Sequence, residues 1–174
     1  RAHMVFALPL PLGIEGRREA LDIKIDETQI TMEEVRERLS RTLPGTLPVL
    51  SVTEPVMKPG KITWASYELV LEPENGDIDL LAQQCSALLS QPEIPVSKHT
   101  KSGMIHFDLK PYLAETSFTV EENTVRISAF LPAGSEKNIS PYLLTDALEH
   151  QQGASFLCEA ARTGLYDAER KLFE

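Results

Sequence analysis

The densest group of residues that could bind an anionic ligand lies between positions 98 and 110. It contains Lys98, Lys101 and Lys110, with two histidines and one aspartate, so its net charge is +2 in a chain of net charge −9. Lysines beside aromatic rings are typical of surfaces that bind phosphates and stacked bases. The pattern is equally typical of a solvated strand face. We therefore interpret the stretch either as a phosphate-binding strip or as an ordinary exposed strand.

Two polar residues inside apolar strands are further candidates. Asp108 lies at the end of a predicted strand, where it is either a turn residue or part of a polar site. Arg162 interrupts the last predicted strand, and its guanidinium could pair with Asp108, bind an anion, or make a structural ion pair. Near the beginning of the chain, Arg17 and Arg18 follow a glycine-flanked dipeptide, which predicts a ligand-facing loop or an ordinary charged turn.

The sequence lacks the motifs of several classes of functional site. Cys85 and Cys158 have no neighbouring cysteine or histidine at metal-ligand spacing, so we expect structural thiols in a reducing cytosol. The sequence has neither a phosphate-binding glycine loop nor a nucleophile elbow. No apolar run approaches the ~18 residues of a membrane span, so no membrane contact is expected. We expect no cofactor and no metal, and a cytoplasmic location.

The elements that must position these residues follow from hydrophobic periodicity and from capping signals. Strands are predicted at 19–25, 48–56, 63–71, 94–98, 104–109, 118–120, 125–131 and 156–166. Helices are predicted to begin at the Thr31-x-x-Glu34 capping box, near Ile78 and at Ser140, and the last of them is predicted to end at Gly153. The order predicts an α+β fold of two packed ferredoxin-like β-α-β halves, with a mostly antiparallel sheet and three helices. We expect one compact domain over 1–174, with 1–98 and 99–174 as its subdomains.

Three phrases of the sequence resemble a known family. Phe6-Ala-Leu-Pro-Leu-Pro-Leu-Gly-Ile-Glu15, followed by Glu19-Ala-Leu-Asp-Ile23, is similar to the opening of the bacterial radical SAM-linked domain of unknown function. Asp108-Leu-Lys-Pro111 and Arg162-Thr-Gly-Leu-Tyr166 are similar to its later phrases. The resemblance implies a radical SAM protein as partner and a role near RNA or ribosome metabolism. It also implies a further N-terminal segment in relatives, and it assigns no catalytic residue.

Three hypotheses of function follow. The first is a noncatalytic accessory module that docks on a radical SAM enzyme and presents its substrate, for which RNA is the candidate. Its contacts would come from a cationic set that comprises Arg17, Arg18, Lys98, Lys101, Lys110 and Arg162. The second is an enzyme that acts on RNA itself, with Asp108 or Asp22 as the reactive carboxylate. The third is a structural oligomerisation domain that uses the apolar edge at residues 8–12.

Overall fold

The computed structural model of the chain describes residues 4–26, 29–100 and 103–173. These ranges contain three α-helices, α1 (Met32–Thr42), α2 (Ile78–Ser90) and α3 (Tyr142–Gln152). The strands are β1 (Met4–Phe6), β2 (Ile14–Gly16), β3 (Leu21–Ile23), β4 (Trp64–Pro73), β5 (Pro95–Thr100), β6 (Gly103–Asp108), β7 (Ser117–Val120), β8 (Val125–Pro132) and β9 (Phe156–Tyr166).

The main sheet has five strands in the order β2-β9-β4-β8-β7. Strand β2 is parallel to β9, and the other neighbouring strands are antiparallel. From β4 to β9 the chain runs β4-α2-β7-β8-α3-β9, with the β5–β6 hairpin inserted after α2. This order of elements and strands is the split β-α-β arrangement of ferredoxin-like folds. Strands β1 and β3 form a separate two-stranded sheet.

Strict alternation along β4 decides which side of the main sheet is the core. Ala65, Tyr67, Leu69 and Leu71 are buried, whereas the residues between them are only half-buried. Helix α2 packs against β4, β7 and β8, and α3 packs against α2 and β5. We call the side of the sheet opposite α2 the open face. No helix in the described residues is both long and apolar enough to cross a membrane.

The predicted α+β class, with three helices and mostly antiparallel sheets, is confirmed. The capping box of α1 is present, since the Thr31 hydroxyl accepts from the Glu34 amide and the Glu34 carboxylate accepts from the Thr31 amide. Gly153 ends α3 in the left-handed conformation that glycine favours. Strand β9 has the predicted bounds. Capping residues and hydrophobic alternation therefore predicted these helix ends and the long strands correctly.

The division into two ferredoxin-like halves is not confirmed, although it fits the class. The strand predicted at 48–56 has no regular secondary structure. Pro48 and Pro55 remove two backbone donors from this segment, so it cannot supply a full ladder. Strand β5 pairs with β6 rather than joining β4. One split β-α-β unit from β4 to β9 therefore replaces the two predicted halves.

The entry of the chain into β4 depends on the absence of a side chain at Gly134. A Cβ atom there would lie 2.5 Å from the carbonyl oxygen of Ile62. The Gly134→Ala variant is expected to lose about 2 kcal/mol of unfolding free energy, because the backbone must shift to admit the methyl group. Urea denaturation measures this loss.

Gly60→Ala is the matched control, since a Cβ atom at Gly60 meets nothing within 4 Å. Its stability should be unchanged or slightly raised, because alanine restricts the unfolded chain. Equal stability of the two variants would show that the approach to Ile62 is not a constraint.

Candidate functional site

A groove of about 340 Å³ lies on the open face of the main sheet. Strands β4, β8 and β9 supply its floor, and Glu115 borders it from the segment before β7. Its lining residues are Ser66, Tyr67, Glu68, Glu115, Ser128, Ala129, Phe130, Thr163 and Tyr166. A concave site with aromatic and polar groups is the usual form of a small-ligand or base-binding site.

Three aromatic rings on adjacent strands meet beside the groove, and we call them the aromatic platform: Phe130 and Tyr166 line the groove, and Trp64 stacks on Phe130. The rings of Trp64 and Phe130 are stacked, with centroids 5.5 Å apart and an interplanar angle of 22°. Phe130 and Tyr166 follow at 5.0 Å and 58°. Trp64 and Tyr166 are cross-strand partners, and Phe130 pairs with the neighbouring Ser66. The strand register therefore brings together rings from distant parts of the sequence.

Arg170 lies over the aromatic platform. Its guanidinium carbon is 4.0 Å from the Trp64 ring centroid and 4.3 Å from that of Phe130. Its Nη2 atom lies 2.6 Å from Glu115 Oε1. The Arg170 guanidinium therefore makes two kinds of interaction, a cation–π contact with the rings and an ion pair with a carboxylate.

A row of hydroxyl groups occupies the centre of the groove. Ser66 Oγ lies 2.7 Å from Thr163 Oγ1 and donates to the Tyr166 hydroxyl at 3.3 Å. The register of β4 and β9 shifts between Ser66 and Tyr67, and this irregularity places Thr163 at the groove. Gly164 leaves room for the Tyr166 ring, since a Cβ atom there would lie 2.9 Å from the tyrosine oxygen.

Paired charges form the other end of the groove. Glu68 Oε1 accepts from Arg17 at 2.6 Å and lies 2.9 Å from Arg126 Nη1. Arg126 also donates to Glu121 at 2.7 and 3.0 Å, and these hydrogen bonds lower the pKa of Glu121 and raise that of Arg126. Two arginines thus meet at one carboxylate on the open face.

The structure places the predicted cationic residues in different surroundings. Arg17 reaches the groove through Glu68, and Arg18 is exposed next to it in the chain. Lys98 donates to the Asn138 carbonyl at 2.6 Å, and Lys110 donates to the Leu89 carbonyl at the end of α2. Lys101 lies outside the described residues. Of the predicted lysines, neither Lys98 nor Lys110 lines the groove.

The two candidate carboxylates also lie elsewhere. Asp108 Oδ1 accepts from the Ile94 amide at 2.7 Å and from the Lys110 amide at 2.9 Å. It therefore acts as the predicted turn residue and ties β6 to the residue before β5. Asp22 lies in β3 opposite Val5, in the separate two-stranded sheet. Neither residue lines the groove.

Arg162 makes a structural ion pair rather than a contact with Asp108. Its side chain is only 1% exposed, and Nε donates to Glu19 Oε1 at 2.9 Å while Nη2 donates to Glu19 Oε2. The guanidinium also donates to the carbonyls of Leu8 at 2.8 Å and Pro9 at 3.2 Å. The pairing predicted with Asp108 is therefore wrong, because Glu19 fills the position beside the guanidinium.

Loss of the Glu19 charge should destabilise the fold. Glu19→Gln leaves the buried Arg162 charge with a neutral partner, and we expect it to cost about 2 kcal/mol of unfolding free energy. The cost is below that for a fully buried pair because the Glu19 side chain is 22% exposed. Chemical denaturation at neutral pH gives the value.

Glu15→Gln provides the control, since Glu15 is 66% exposed and pairs with Arg17 at 3.7 Å. It should change stability by less than about 0.5 kcal/mol. If the Glu19 variant lost no more than this control, the buried pair would not hold the N-terminal residues in place.

Both cysteines are free, as expected for structural thiols. Burial raises the pKa of Cys85 and that of Cys158 to about 11, so both thiols stay protonated near neutral pH. Within the described residues, no three His, Cys, Asp or Glu side chains form a group that could hold a metal ion. The lining of the groove itself consists of aromatic, hydroxyl and carboxylate side chains together with Ala129.

Sequence reasoning missed most of the groove. Trp64 and Phe130 lie within predicted strands and are not among the candidate residues, and neither are Tyr166, Glu115 and Arg170. The signal available was the position of large aromatic residues between the buried residues of β4 and β8, since such rings face away from the core. Several aromatic rings grouped on the outward side of a sheet indicate a surface that interacts with a ligand or a partner.

Comparison with known proteins gives a family but no further relative. Residues 1–141 match the family described as "Uncharacterized protein conserved in bacteria (DUF2344)". No curated protein and no solved structure matches the chain. The matched range includes Trp64 and Phe130 and ends before Tyr166. Because the match covers most of its length, the chain belongs to the DUF2344 family of bacterial proteins.

Proposed function

We propose that this chain is a noncatalytic accessory module that presents single-stranded RNA to a radical SAM enzyme, with the RNA on the open face of its main sheet. The observation that carries the proposal is the aromatic platform. Stacking of unpaired bases on aromatic residues of the central strands is how the split β-α-β sheets of RNA recognition motifs bind RNA. Here Trp64 lies on β4, and Phe130 lies on its neighbour β8.

The rest of the groove offers groups suited to the sugar and phosphate of the same strand. Ser66, Ser128 and Thr163 present hydroxyl groups next to the rings, where a ribose hydroxyl could donate or accept. Arg17 and Arg126 lie at the far end and share Glu68. A phosphate could replace Glu68 as the hydrogen-bond acceptor of one of these guanidinium groups, because arginine donates to phosphates and to carboxylates in the same bidentate geometry.

The partner is inferred from the resemblance of the chain to radical SAM-linked domains and from its exposed apolar residues. Leu12 is 99% exposed, and Leu50 and Val56 are 62% and 72% exposed. Leu50 and Val56 belong to one segment, and exposed apolar residues grouped on a surface are typical of protein interaction sites. The segment that carries Leu50 and Val56 has no regular secondary structure, so it can adapt to a partner surface.

Base stacking on the platform is tested with short single-stranded RNA. Phe130→Ala removes one ring and is expected to weaken binding about tenfold, in line with the loss of one stacked base. Fluorescence anisotropy of a labelled oligonucleotide gives the dissociation constant, and circular dichroism checks that the variant is folded.

Leu157→Ala is the matched control, since Leu157 is a 62% exposed apolar residue of β9 that does not line the groove. It should bind RNA like the parent protein. Equal affinity of the Phe130 and Leu157 variants would show that the platform does not bind RNA. No measurable binding by the parent protein would overturn the RNA part of the proposal.

The partner is tested by co-elution with a radical SAM protein of the host bacterium, on a sizing column with light scattering. We expect a complex of defined stoichiometry, which Leu50→Ser together with Val56→Ser should weaken because apolar burial is lost. The Phe130→Ala variant should still form it. Separate elution of the two parent proteins would contradict the accessory role.

A further inference from the structure

We propose that the aromatic platform selects a guanine base, and that Arg170 mimics this base in the structure. The inference rests on the proposed function, because it names the base that the open face binds. Arg170 places its planar guanidinium over both rings, with the guanidinium carbon 4.0 Å from the Trp64 centroid and 4.3 Å from the Phe130 centroid, which are cation–π contacts on the faces that a base would stack on. A stacked base would lie where this guanidinium lies.

The chemistry of the guanidinium indicates which base fits. Arg170 donates from Nη2 toward Glu115 Oε1 at 2.6 Å while its guanidinium carbon lies over the two rings. Guanine contains a guanidine-like group within its flat ring system. Its ring N–H and its exocyclic amino group lie on one edge and donate in parallel. A carboxylate accepts such a pair of donors in fork geometry. The Glu115 side chain is 58% exposed and borders the groove, so it can turn toward that edge.

The other bases do not reproduce this pattern. Adenine and cytosine each present a ring acceptor beside the amino group on the corresponding edge, and the ring N–H of uracil lies between two carbonyl acceptors. An acceptor placed against the Glu115 carboxylate is repelled and leaves both groups without a hydrogen bond. Guanine is the base that stacks on the platform and also satisfies Glu115.

The backbone holds Arg170 over the platform independently of its side chain. Arg170 has φ of 66°, and among the described residues it alone, apart from glycine, has a positive φ. The turn that contains it is closed by Asp167 Oδ1, which accepts from the amides of Glu169 and Lys171 at 2.9 Å each. Phe173, just beyond, is buried. A base can therefore displace the guanidinium while the turn stays in place, and Arg170 competes with every ligand of the platform.

Mononucleotides test the selection directly. Trp64 is the single tryptophan of the chain, so its fluorescence reports stacking on the platform. Guanosine monophosphate is expected to bind about tenfold more tightly than adenosine monophosphate, since a bidentate pair discriminates by about this factor. Equilibrium dialysis confirms the affinities without relying on fluorescence.

Two variants assign the effect to its residues. Arg170→Gly removes the competing group and favours the left-handed backbone, so it should raise guanosine affinity about fivefold. Lys171→Ala, in the same turn, is the control and should change nothing. Glu115→Gln should reduce the preference for guanosine to about twofold while binding of adenosine is retained, because an amide cannot accept both donors.

The outcomes separate this inference from the proposed function. Equal affinity for both nucleotides, or no gain in the Arg170 variant, would overturn the guanine inference, while binding of labelled RNA that depends on Phe130 would still support the open face as an RNA surface. If neither nucleotides nor RNA bound, both proposals would fail.

Discussion

The buried guanidinium of Arg162 is the interaction on which the rest of the structure depends. A charge that is 1% exposed must be neutralised and hydrogen-bonded, and the Glu19 carboxylate and the carbonyls of Leu8 and Pro9 do this. These three partners lie within residues 8–19, so the Arg162 side chain attaches that segment to β9. Strand β2 can then add to the sheet in parallel register with Ala160–Arg162.

The position of this charge also shapes the groove. Neighbouring residues of a strand point to opposite faces, so the guanidinium of Arg162 points into the protein while Thr163 lines the groove. The order of residues Arg162, Thr163 and Gly164 therefore serves two purposes. The first residue secures the N-terminal segment, and the next two give the groove a hydroxyl group and the space for Tyr166.

The part of this fold that sequence could predict is the part encoded locally. The capping box at Thr31, the alternation along β8 and the glycine after α3 each depend on neighbouring residues, and each prediction is confirmed. The groove and the buried pair depend on strand order. Arg162 meets Glu19 across 143 residues of sequence, and Ser66 meets Thr163 across 97. No periodicity within a single element indicates which strands will become neighbours.

The parallel pairing of β2 with β9 has a consequence for the order of assembly. Strand β2 is made early, but its partner comes from residues 156–166, so it has no place in the sheet until almost the whole described chain has been synthesised. The last of these strands must insert beside β4 before the first can dock on it. Contacts so distant in sequence form slowly. Until then the side chains of Ala7 and Ile14, which are buried in the complete fold, remain uncovered, and uncovered apolar residues in a slowly folding chain promote aggregation.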